Sequence, residues 1–590
     1  MKRTTRQINQ SDGTNRLSLL MRSPGFLIVV IGIIFSLPVI IIGLSLQTHD
    51  AFFHTQWYAT FSQQLFNGEL YPRWMMDVNG GLGSPAYFFY PPMMSYTASL
   101  FAFLKPIDPY GLYQLALAAS FMIVVSGLTA YKWLKEFHDR RYALIGALIY
   151  MLIPFHYSID LLIRSALAQV CAYVWLPLIL LGAWRITIKG RFAPVGLSLS
   201  YGALILTHAP TTLLFSPFIP LYVLLLAKPK DRIRSLAITI GSMALGVGLS
   251  ATYLMTAVTH QDYVNMSTMF VGVFEYSRHW LVTTDLFSFT YSNQVAWLIL
   301  SFSGASLFAW WSSQRSTMQE DQPLETRRVR QLNRFAMGVI LVSLFMITPL
   351  SMPLWEYIPL LPKVQFPHRF LVLLSLSLAL LLPSLLIGKR TSEKSTPTSS
   401  LRTWGRISFG VAVVLTVIFT VKYGWGFYSV AKEHHNAPET HEQLAIAVDA
   451  FEYVPRWCKR AIERDYHEIQ QLVREKYHAK QGFTIEEGDG YVEAERNGSR
   501  GYILNVKSDS GIVLDLHRFY YPGWESEDEI DSVILSPSPQ EGLLRVQVPS
   551  GDHTMRLRMA ATPTEHLGNI ISLASFAILA LIWLYMRKRE

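Results

Sequence analysis

Charge is scarce in this chain. Only 16% of the 590 residues are Asp, Glu, Lys or Arg, while 51% are hydrophobic and 13% aromatic. Soluble domains carry about 25% charged residues, so a soluble protein of this length is excluded, and the positive mean hydropathy agrees. Cysteine is nearly absent. Cys171 and Cys458 lie far apart, the first inside an apolar run, which argues against a disulfide framework. Nucleotide motifs are missing as well: there is no GxxxxGK[ST] loop and no HExxH, and "GGLGSP" has no βαβ surroundings. Nothing supports an ATP-driven pump. No internal repeat is visible. The first 23 residues are polar and basic and lack a small-residue cleavage site, so the apolar run behind them reads as an uncleaved helix. The net charge of +9 invites a nucleic-acid reading. The basic residues instead form short clusters between apolar runs, which is how membrane proteins fix their orientation.

What the chain has in abundance is apolar runs near the roughly 20 residues that span a bilayer. They fall at 25–46, 110–131, 141–157, 167–185, 193–208, 211–227, 235–257, 294–312, 335–350, 369–388, 405–424 and 568–586, about twelve spans. If each crosses once, one side receives Lys132/Lys135/Arg140/Arg141, Arg185/Lys189/Arg191 and Lys228/Lys230/Arg232/Arg234. The same side receives the basic residues of 315–334, then Lys389/Arg390/Lys394/Arg402/Arg406 and Arg587/Lys588/Arg589. The agreement predicts a multi-pass protein of the cytoplasmic membrane with both termini cytoplasmic. A crossing at 91–104 would invert every later loop, so that segment is expected to be an interfacial or partly inserted helix on the outer face.

The expected organisation is a cytoplasmic tail (1–24), a membrane domain (25–426) with a first outer loop at 47–109, an outer region (427–566), and a last helix with a basic tail (567–590). Within the outer region, "RWCKRAIERDYHEIQQLVREKYHAK" is helical in character. Alternation follows: Tyr502, Leu504, Val506; Val513, Leu516; Leu544, Val546, Val548; Met555, Leu557, Met559. With turns at "NGSRG", "SDSG" and "PSGD", this predicts a small antiparallel β domain.

Polar residues gather at the outer ends. In "THDAFFHTQWYATFSQQLFNGELYPRW", Phe53, Trp57, Phe61 and Leu65 form a stripe of helical period, with Asp50, His54 and Tyr58 beside it. Two readings of Asp50 stand open: a helix N-cap, or a base or cation ligand facing a site. "SIDLLIRSALAQ" carries Asp160, Arg164 and Gln169, and "LTHAPTT" carries His208. The 258–293 loop holds His260, Asp262, Glu275, Arg278, His279 and Asp285; "LPKVQFPHRF" holds Lys363, Gln365, His368 and Arg369. An outer arginine is commonly a snorkelling anchor, but several at one level suit an anion such as a lipid-borne phosphate. "NMS" and "NGS" match glycosylation acceptors, a pattern too short to carry weight.

The ordered set "HDAFFH…GELYPRW…GGLGSPAYFFYPP", "IRSALAQ", "VQFPHRF", "EYVPRW" and "YYPGW…VPSGDHTMRLRMAATPTEHLGNIIS" resembles the bacterial YfhO-like membrane proteins from about residue 25 onward. These are also catalogued as 6-pyruvoyl-tetrahydropterin-synthase-related, although nothing here suggests a soluble pterin enzyme. The group resembles the GT-C glycosyltransferases, polytopic enzymes that take sugars from polyprenyl-phosphate donors and carry an acid in the first outer loop. The resemblance implies a GT-C-like fold with an outer β domain, and hexosyl transfer to an envelope glycan or lipid acceptor. Asp50 takes the acidic place, with His49 and His54 beside it. Arg164, Arg369 and His208 become donor-phosphate ligands, and Trp57, Arg73, Trp74, Tyr90, Gln169 and Gln365 sugar or acceptor contacts, with anchoring at the membrane interface the other reading of Trp57, Trp74 and Tyr90. A divalent cation, Mg or Mn, is the one cofactor considered, with Asp50 as its candidate ligand. Gln169 and His368 stand where the family often has Glu and Trp. The implied partners are the lipid-linked donor, the acceptor and membrane lipid, with no nucleic acid. A lipid-linked-glycan transporter and a non-catalytic assembly protein are the alternatives.

Overall fold

The computed structural model describes residues 23–46, 48–108, 110–190, 192–281, 290–315, 324–386, 397–434, 446–461, 466–479, 481–528 and 533–588. The basic tail before residue 23, Asp285 and Lys389/Arg390/Lys394 lie outside them.

Among the described residues, 11 helices are long and apolar enough to cross a membrane. The twelfth run, at 193–208, forms only Ala193–Ile205, 13 residues. At 1.5 Å per residue it is about 20 Å long, less than a full hydrocarbon core. It packs closely enough on Arg232–Leu249 that a Cβ on Gly246 would lie 2.9 Å from the Ser198 carbonyl. The run expected at 235–257 is two helices, Arg232–Leu249 and Ala251–Thr259, which meet at Ser250. The 405–424 run lies inside a much longer helix, Pro397–His434.

Burial separates centre from periphery. Leu167–Thr187 and Pro367–Leu386 are each 89% buried, whereas Arg402–Gly424 is 11% and Pro24–Ile42 is 22% buried. The peripheral helices turn large apolar side chains outward, as a lipid-facing surface requires. The two central helices begin on the side that carries the β domain, and each begins beside one of the predicted phosphate-binding arginines.

The 47–109 loop is mostly ordered by short helices: Ala51–Phe66, Ala86–Phe89 and Met93–Ser99, with a single turn at Ala102–Leu104. No part of 91–104 is long enough to cross. Between the helices the chain folds back through Gly80, Gly81 and Gly83, all at positive φ. Gly83 is irreplaceable by contact as well, since a Cβ there would sit 2.5 Å from the Trp74 ring.

The β domain contains β1 (Phe483–Glu487), β2 (Tyr491–Arg496), β3 (Gly501–Ser508), β4 (Ile512–Phe519), β5 (Trp524–Ser526), β6 (Ile534–Pro537), β7 (Leu543–Val548) and β8 (Gly551–Met559). Two antiparallel sheets have the orders β1-β4-β7-β6 and β2-β3-β8-β5. The expected alternation holds on β3, β7 and β8, whose Tyr502, Leu504, Val506, Leu544, Val546, Val548, Met555, Leu557 and Met559 are buried. On β4 it does not: Ile512, Leu514 and Leu516 are buried, and Val513 is not fully buried. Asp515 and His517 on the other face of β4 are buried too, Asp515 paired with Arg545 at 2.7 Å and His517 Nε2 lying 2.9 Å from the Thr484 hydroxyl. The end of the strand meets the 47–109 loop, where Phe519 N–H donates to the Leu82 carbonyl at 2.8 Å. The helical stretch expected from Arg456 onward starts later, at Tyr466–His478. Residues 456–461 pack irregularly, with the Gly542 Cα facing the Trp457–Cys458 peptide. The last helix, Pro563–Lys588, returns from the β domain to the apolar layer.

Candidate active site

Pro154 cannot donate into a regular helix, and beyond it the chain widens into a π-helix, Phe155–Ile163. Ile159 N–H reaches the Pro154 carbonyl at 2.8 Å and Arg164 N–H reaches Ile159 at 2.9 Å. Such wide turns recur at functional sites. This one ends abruptly at Ser165, φ +50°. Arg164 Nη1 donates to Asp160 Oδ1 at 2.9 Å, and Gln169 Nε2 donates to Asp160 Oδ2 at 3.0 Å. Both Asp160 oxygens are thereby engaged, and the carboxylate orients the guanidinium. Nη1 is the only nitrogen of Arg164 so held among the described residues.

Arg369 is set by a second backbone irregularity. Gln365 has φ +65° and ψ −59°, and Phe366 N–H closes a three-residue turn onto the Val364 carbonyl at 2.9 Å. This is the γ-turn of positive φ, rare and strained for a residue with a Cβ. Gln365 is pinned there from both ends of its amide. Its Nε2 donates to the Met269 carbonyl at 3.0 Å, and its Oε1 accepts from Arg369 Nη1 at 3.0 Å. Arg369 Nη1 also donates to the Val364 carbonyl at 2.6 Å. Arg369 is 7% exposed, and its Nε is buried without a hydrogen-bond partner. Among the described residues no carboxylate pairs with it. The charges acting on it are Arg164, Asp50 and Asp160.

Asp50 stands at the start of Ala51–Phe66, but its side chain makes no capping bond. The N-cap reading is therefore not what its geometry shows. Its backbone N–H donates to the Arg164 carbonyl at 3.0 Å, tying helix start to π-helix end. Thr48 Oγ1 adds a bond to Ser165 Oγ at 2.8 Å. The half-buried carboxylate faces a cavity of about 600 Å³ that Arg164, Gln169, His208, Gln365 and Arg369 also line. His49, His54, Trp57 and Tyr90 complete the loop side of it.

His208 caps the helix that follows it. Its Nδ1 accepts from Thr211 N–H at 3.3 Å, so the neutral ring carries its proton on Nε2. His54 is stacked on Tyr58 at 5.2 Å, and its Nε2 lies 3.1 Å from the Tyr90 hydroxyl. Burial pulls its pKa down to about 4, so it is a neutral ring at physiological pH.

The remaining predicted contacts lie differently. Trp57 borders the cavity, but Tyr90 at 4.8 Å and Tyr453 at 5.6 Å crowd its ring, leaving little face for a sugar. Trp74 is fully buried beneath Gly83 and beside Tyr521. Arg73 is held by Glu565 at 2.9 Å in a different cleft. Arg73 and Trp74 thus line no part of this cavity.

Sequence reading assigned no role to the strap at 446–454, which contributes Ala450, Glu452 and Tyr453 to the cavity wall. Asp449 fastens it. Its Oδ1 accepts from Trp57 Nε1 at 2.8 Å, its Oδ2 accepts from the Ser84 hydroxyl, and its N–H donates to Asn79 Oδ1 at 2.7 Å. Burial raises the Asp449 pKa to about 6. The only sequence signal was an isolated acid within "LAIAVDAFEYV".

The donor set does not suit a divalent cation. Among the described residues no three His, Cys, Asp or Glu gather as ligands. Asp160 is already spent on Arg164 and Gln169, which leaves Asp50 and, on the strap, Glu452 as the other carboxylates of the wall, short of a ligand set and set beside two guanidiniums.

No protein-family model matches the sequence, and no curated protein matches it. Solved structures align at low identity. Arabinofuranosyltransferase AftD from Mycobacteria is 12% identical, with a TM-score of 0.44 over 92% of this chain and 42% of that one. The archaeal oligosaccharyltransferase AglB from Archaeoglobus fulgidus, in complex with an inhibitory peptide and a dolichol-phosphate, is 13% identical, with a TM-score of 0.39 over 73% of this chain and 60% of that one. ArnT from Cupriavidus metallidurans bound to undecaprenyl phosphate is 13% identical, with a TM-score of 0.36 over 71% of this chain and 76% of that one. The chain spans less than two thirds of the length of the first two.

Proposed function

We propose that this protein is a membrane glycosyltransferase of the GT-C kind. It transfers a sugar from a polyprenyl-phosphate donor to an envelope glycan or lipid acceptor at the outer face of the cytoplasmic membrane. The observation that carries the reading is the shared cavity: an uncapped carboxylate, Asp50, facing Arg164 and Arg369, the second buried without a carboxylate partner. A buried guanidinium left uncompensated is costly, and a bound phosphate supplies the missing charge. Arg suits that role through its planar fork.

Asp50 takes the proton of the acceptor hydroxyl. The oxygen attacks the anomeric carbon, the bond from that carbon to the phosphate oxygen breaks, and polyprenyl phosphate leaves with the electron pair. Arg164 and Arg369 stabilise the growing phosphate charge, the type of preorganised electrostatic contribution that dominates many sites. His208 adds a donor through Nε2. Gln365 and Asp160 act through the arginines they orient. Charge neutralisation by two guanidiniums takes the place of a divalent cation in this scheme.

The test is transfer of radiolabelled sugar from polyprenyl-phosphate donors in membranes holding equal amounts of wild type and Asp50→Asn. The expected result is label in a glycan or glycolipid with wild type and a fall of about 10²–10⁴-fold in the variant, the range for loss of a general base. Full activity in Asp50→Asn removes the catalytic assignment. Absence of transfer by wild type across a broad donor and acceptor panel brings the transporter reading forward.

A further inference from the structure

A second cleft, separate from the Asp50 cavity, opens on the β-domain side. It measures about 690 Å³ and is formed by the 47–109 loop, the turn between β2 and β3, the end of β8 and the start of the last helix. Its lining charges balance: Arg73, Arg500 and Arg558 against Glu69, Glu527 and Glu565. Amides and hydroxyls of Asn497, Ser499, Thr252 and Asn569 lie between them, and Tyr71 contributes an aromatic wall.

The floor is built and rigid. Arg73 Nη1 meets Glu565 at 2.9 Å, and its Nη2 donates to the Thr252 carbonyl at 2.8 Å and hydroxyl at 3.0 Å. Thr252 Oγ1 continues to Asn569 Oδ1 at 2.6 Å. Arg500 Nε holds Glu69 Oε1 at 3.1 Å, and Arg500 Nη1 lies 3.8 Å from Glu565 Oε1. Buried ion pairs contribute little stability compared with apolar packing. A device meant only to clamp two parts together has no reason to leave such a volume open above them.

We propose that this cleft binds a neutral, polyhydroxylated glycan. The chemistry selects the ligand class. Balanced charge gives an anion or cation no net attraction. The six ionised side chains set among Leu70, Tyr71, Leu557 and Met559 give the mixed polar and apolar wall that a sugar ring, with its hydroxyl edge and C–H face, fits better than an acyl chain does. Most ion-pair atoms are spent on one another, and what remains for neighbouring hydroxyls is the Asn497 amide, the Asn569 Nδ2 and the outer nitrogens of Arg500, held by those pairings so that less entropy is lost on binding. The size suits a short run of sugars. The cleft also lies next to the Asp50 cavity. Phe88 packs 5.9 Å from the Arg500 guanidinium, and Tyr90, two residues on, lines that cavity. Together with the proposed transfer reaction, on which this point rests, the position suits an acceptor glycan held beside the site of transfer. The glycan is either a free chain or the head of a glycolipid, because the exposed Leu70 and Ile570 place apolar surface beside the cleft.

The test uses the full chain in lipid nanodiscs. The probes are soluble maltoheptaose, galactan and arabinan fragments, an anionic polygalacturonate fragment, and vesicles containing diglucosyl diacylglycerol. Binding is read by saturation-transfer NMR for the soluble probes and by co-flotation for the vesicles. Asn497→Trp fills the mouth from an exposed turn, and Arg558→Gln replaces a half-exposed guanidinium, ion-paired with Glu525 and Glu527, by a shorter neutral amide. The expected result is saturable binding of at least one neutral probe, weakened about tenfold or more by Asn497→Trp and unchanged by Asp50→Asn. Soluble binding assigns a free chain, and vesicle binding alone assigns a glycolipid head. No neutral binding, preference for the anionic probe, or binding indifferent to both cleft variants overturns the proposal. Cleft binding in a chain that transfers no sugar leaves this inference standing and removes only the transfer reading.

Discussion

Gln365 shows at the scale of one residue how the cavity is held open. Its positive φ costs about 1–3 kcal/mol, and its amide bonds to Met269 and Arg369 return about 0.5–1.5 kcal/mol each. These nearly cancel. Gln365→Gly relieves the strain and loses both bonds, so its thermal midpoint should stay within a few degrees of wild type. Arg369 loses its anchor in the same variant, so the donor KM should rise. Thermal unfolding and donor kinetics on one preparation check both halves, and a large drop in midpoint with normal kinetics contradicts the positioning role. Asp50, Arg164, Gln365 and Arg369 were legible in sequence because each is a polar residue at the mouth of an apolar run. Arg73 and Trp74 were not assignable from "GELYPRW". An arginine and a tryptophan in a loop suit a buried ion pair and a ring under a glycine equally well as they suit a ligand. Asp449 was invisible for another reason: its partner Trp57 lies 392 positions away.

At the scale of an element, the strap at 446–454 depends on Asp449. This carboxyl has its folded pKa raised to about 6 by burial, above the ordinary carboxylate value near 3.9. Its contribution to stability is therefore complete below about pH 4 and lost as pH rises through about 6. Asp449→Asn keeps an acceptor for the Trp57 indole but cannot ionise. The wild-type midpoint should gain on that of the variant as pH falls from about 7 to 4. A constant difference across that window means Asp449 does not titrate there. Elements also show where sequence patterns mislead. The 193–208 run reads as a span by hydropathy, but packing against neighbouring helices lets a shorter helix fill the position. The phase of β4 was misread because both its faces are buried: Asp515 and His517 on the second face are covered nearly as fully as Leu514 and Leu516 on the first. A strand buried on both faces carries no alternation to read.

For the whole molecule, the contact of Arg73 with Glu565 joins the 47–109 loop to the top of the last helix. Glu565→Ala leaves a buried guanidinium alone and should cost about 3–5 kcal/mol. Limited proteolysis should then cut near the β domain faster than in wild type, and the apolar pair Arg73→Met with Glu565→Leu should restore resistance. Unchanged cleavage in Glu565→Ala shows that the ion pair does not hold the parts together. The parity of basic clusters gave an orientation that coordinates alone do not carry. It can be tested directly, because Cys171 and Cys458 are both buried. A single cysteine at Asn497 should react with a membrane-impermeant maleimide on intact cells, and one at Lys135 only after lysis. The reverse pattern inverts the topology. The long apolar helices were readable from run lengths, except at 193–208, where the run forms a helix of only 13 residues. The meeting of the 47–109 loop, the strap and the membrane helices around one cavity was not, since contacts across hundreds of residues leave no local period.

The β domain leaves the membrane after Pro397–His434 and re-enters it through Pro563–Lys588. A module whose entrance and exit open on one face is a cassette. It can be enlarged, shortened or exchanged for another without re-threading any crossing that precedes it. In this architecture the part of the β domain turned away from the chamber is free to diversify while the chamber keeps its wiring.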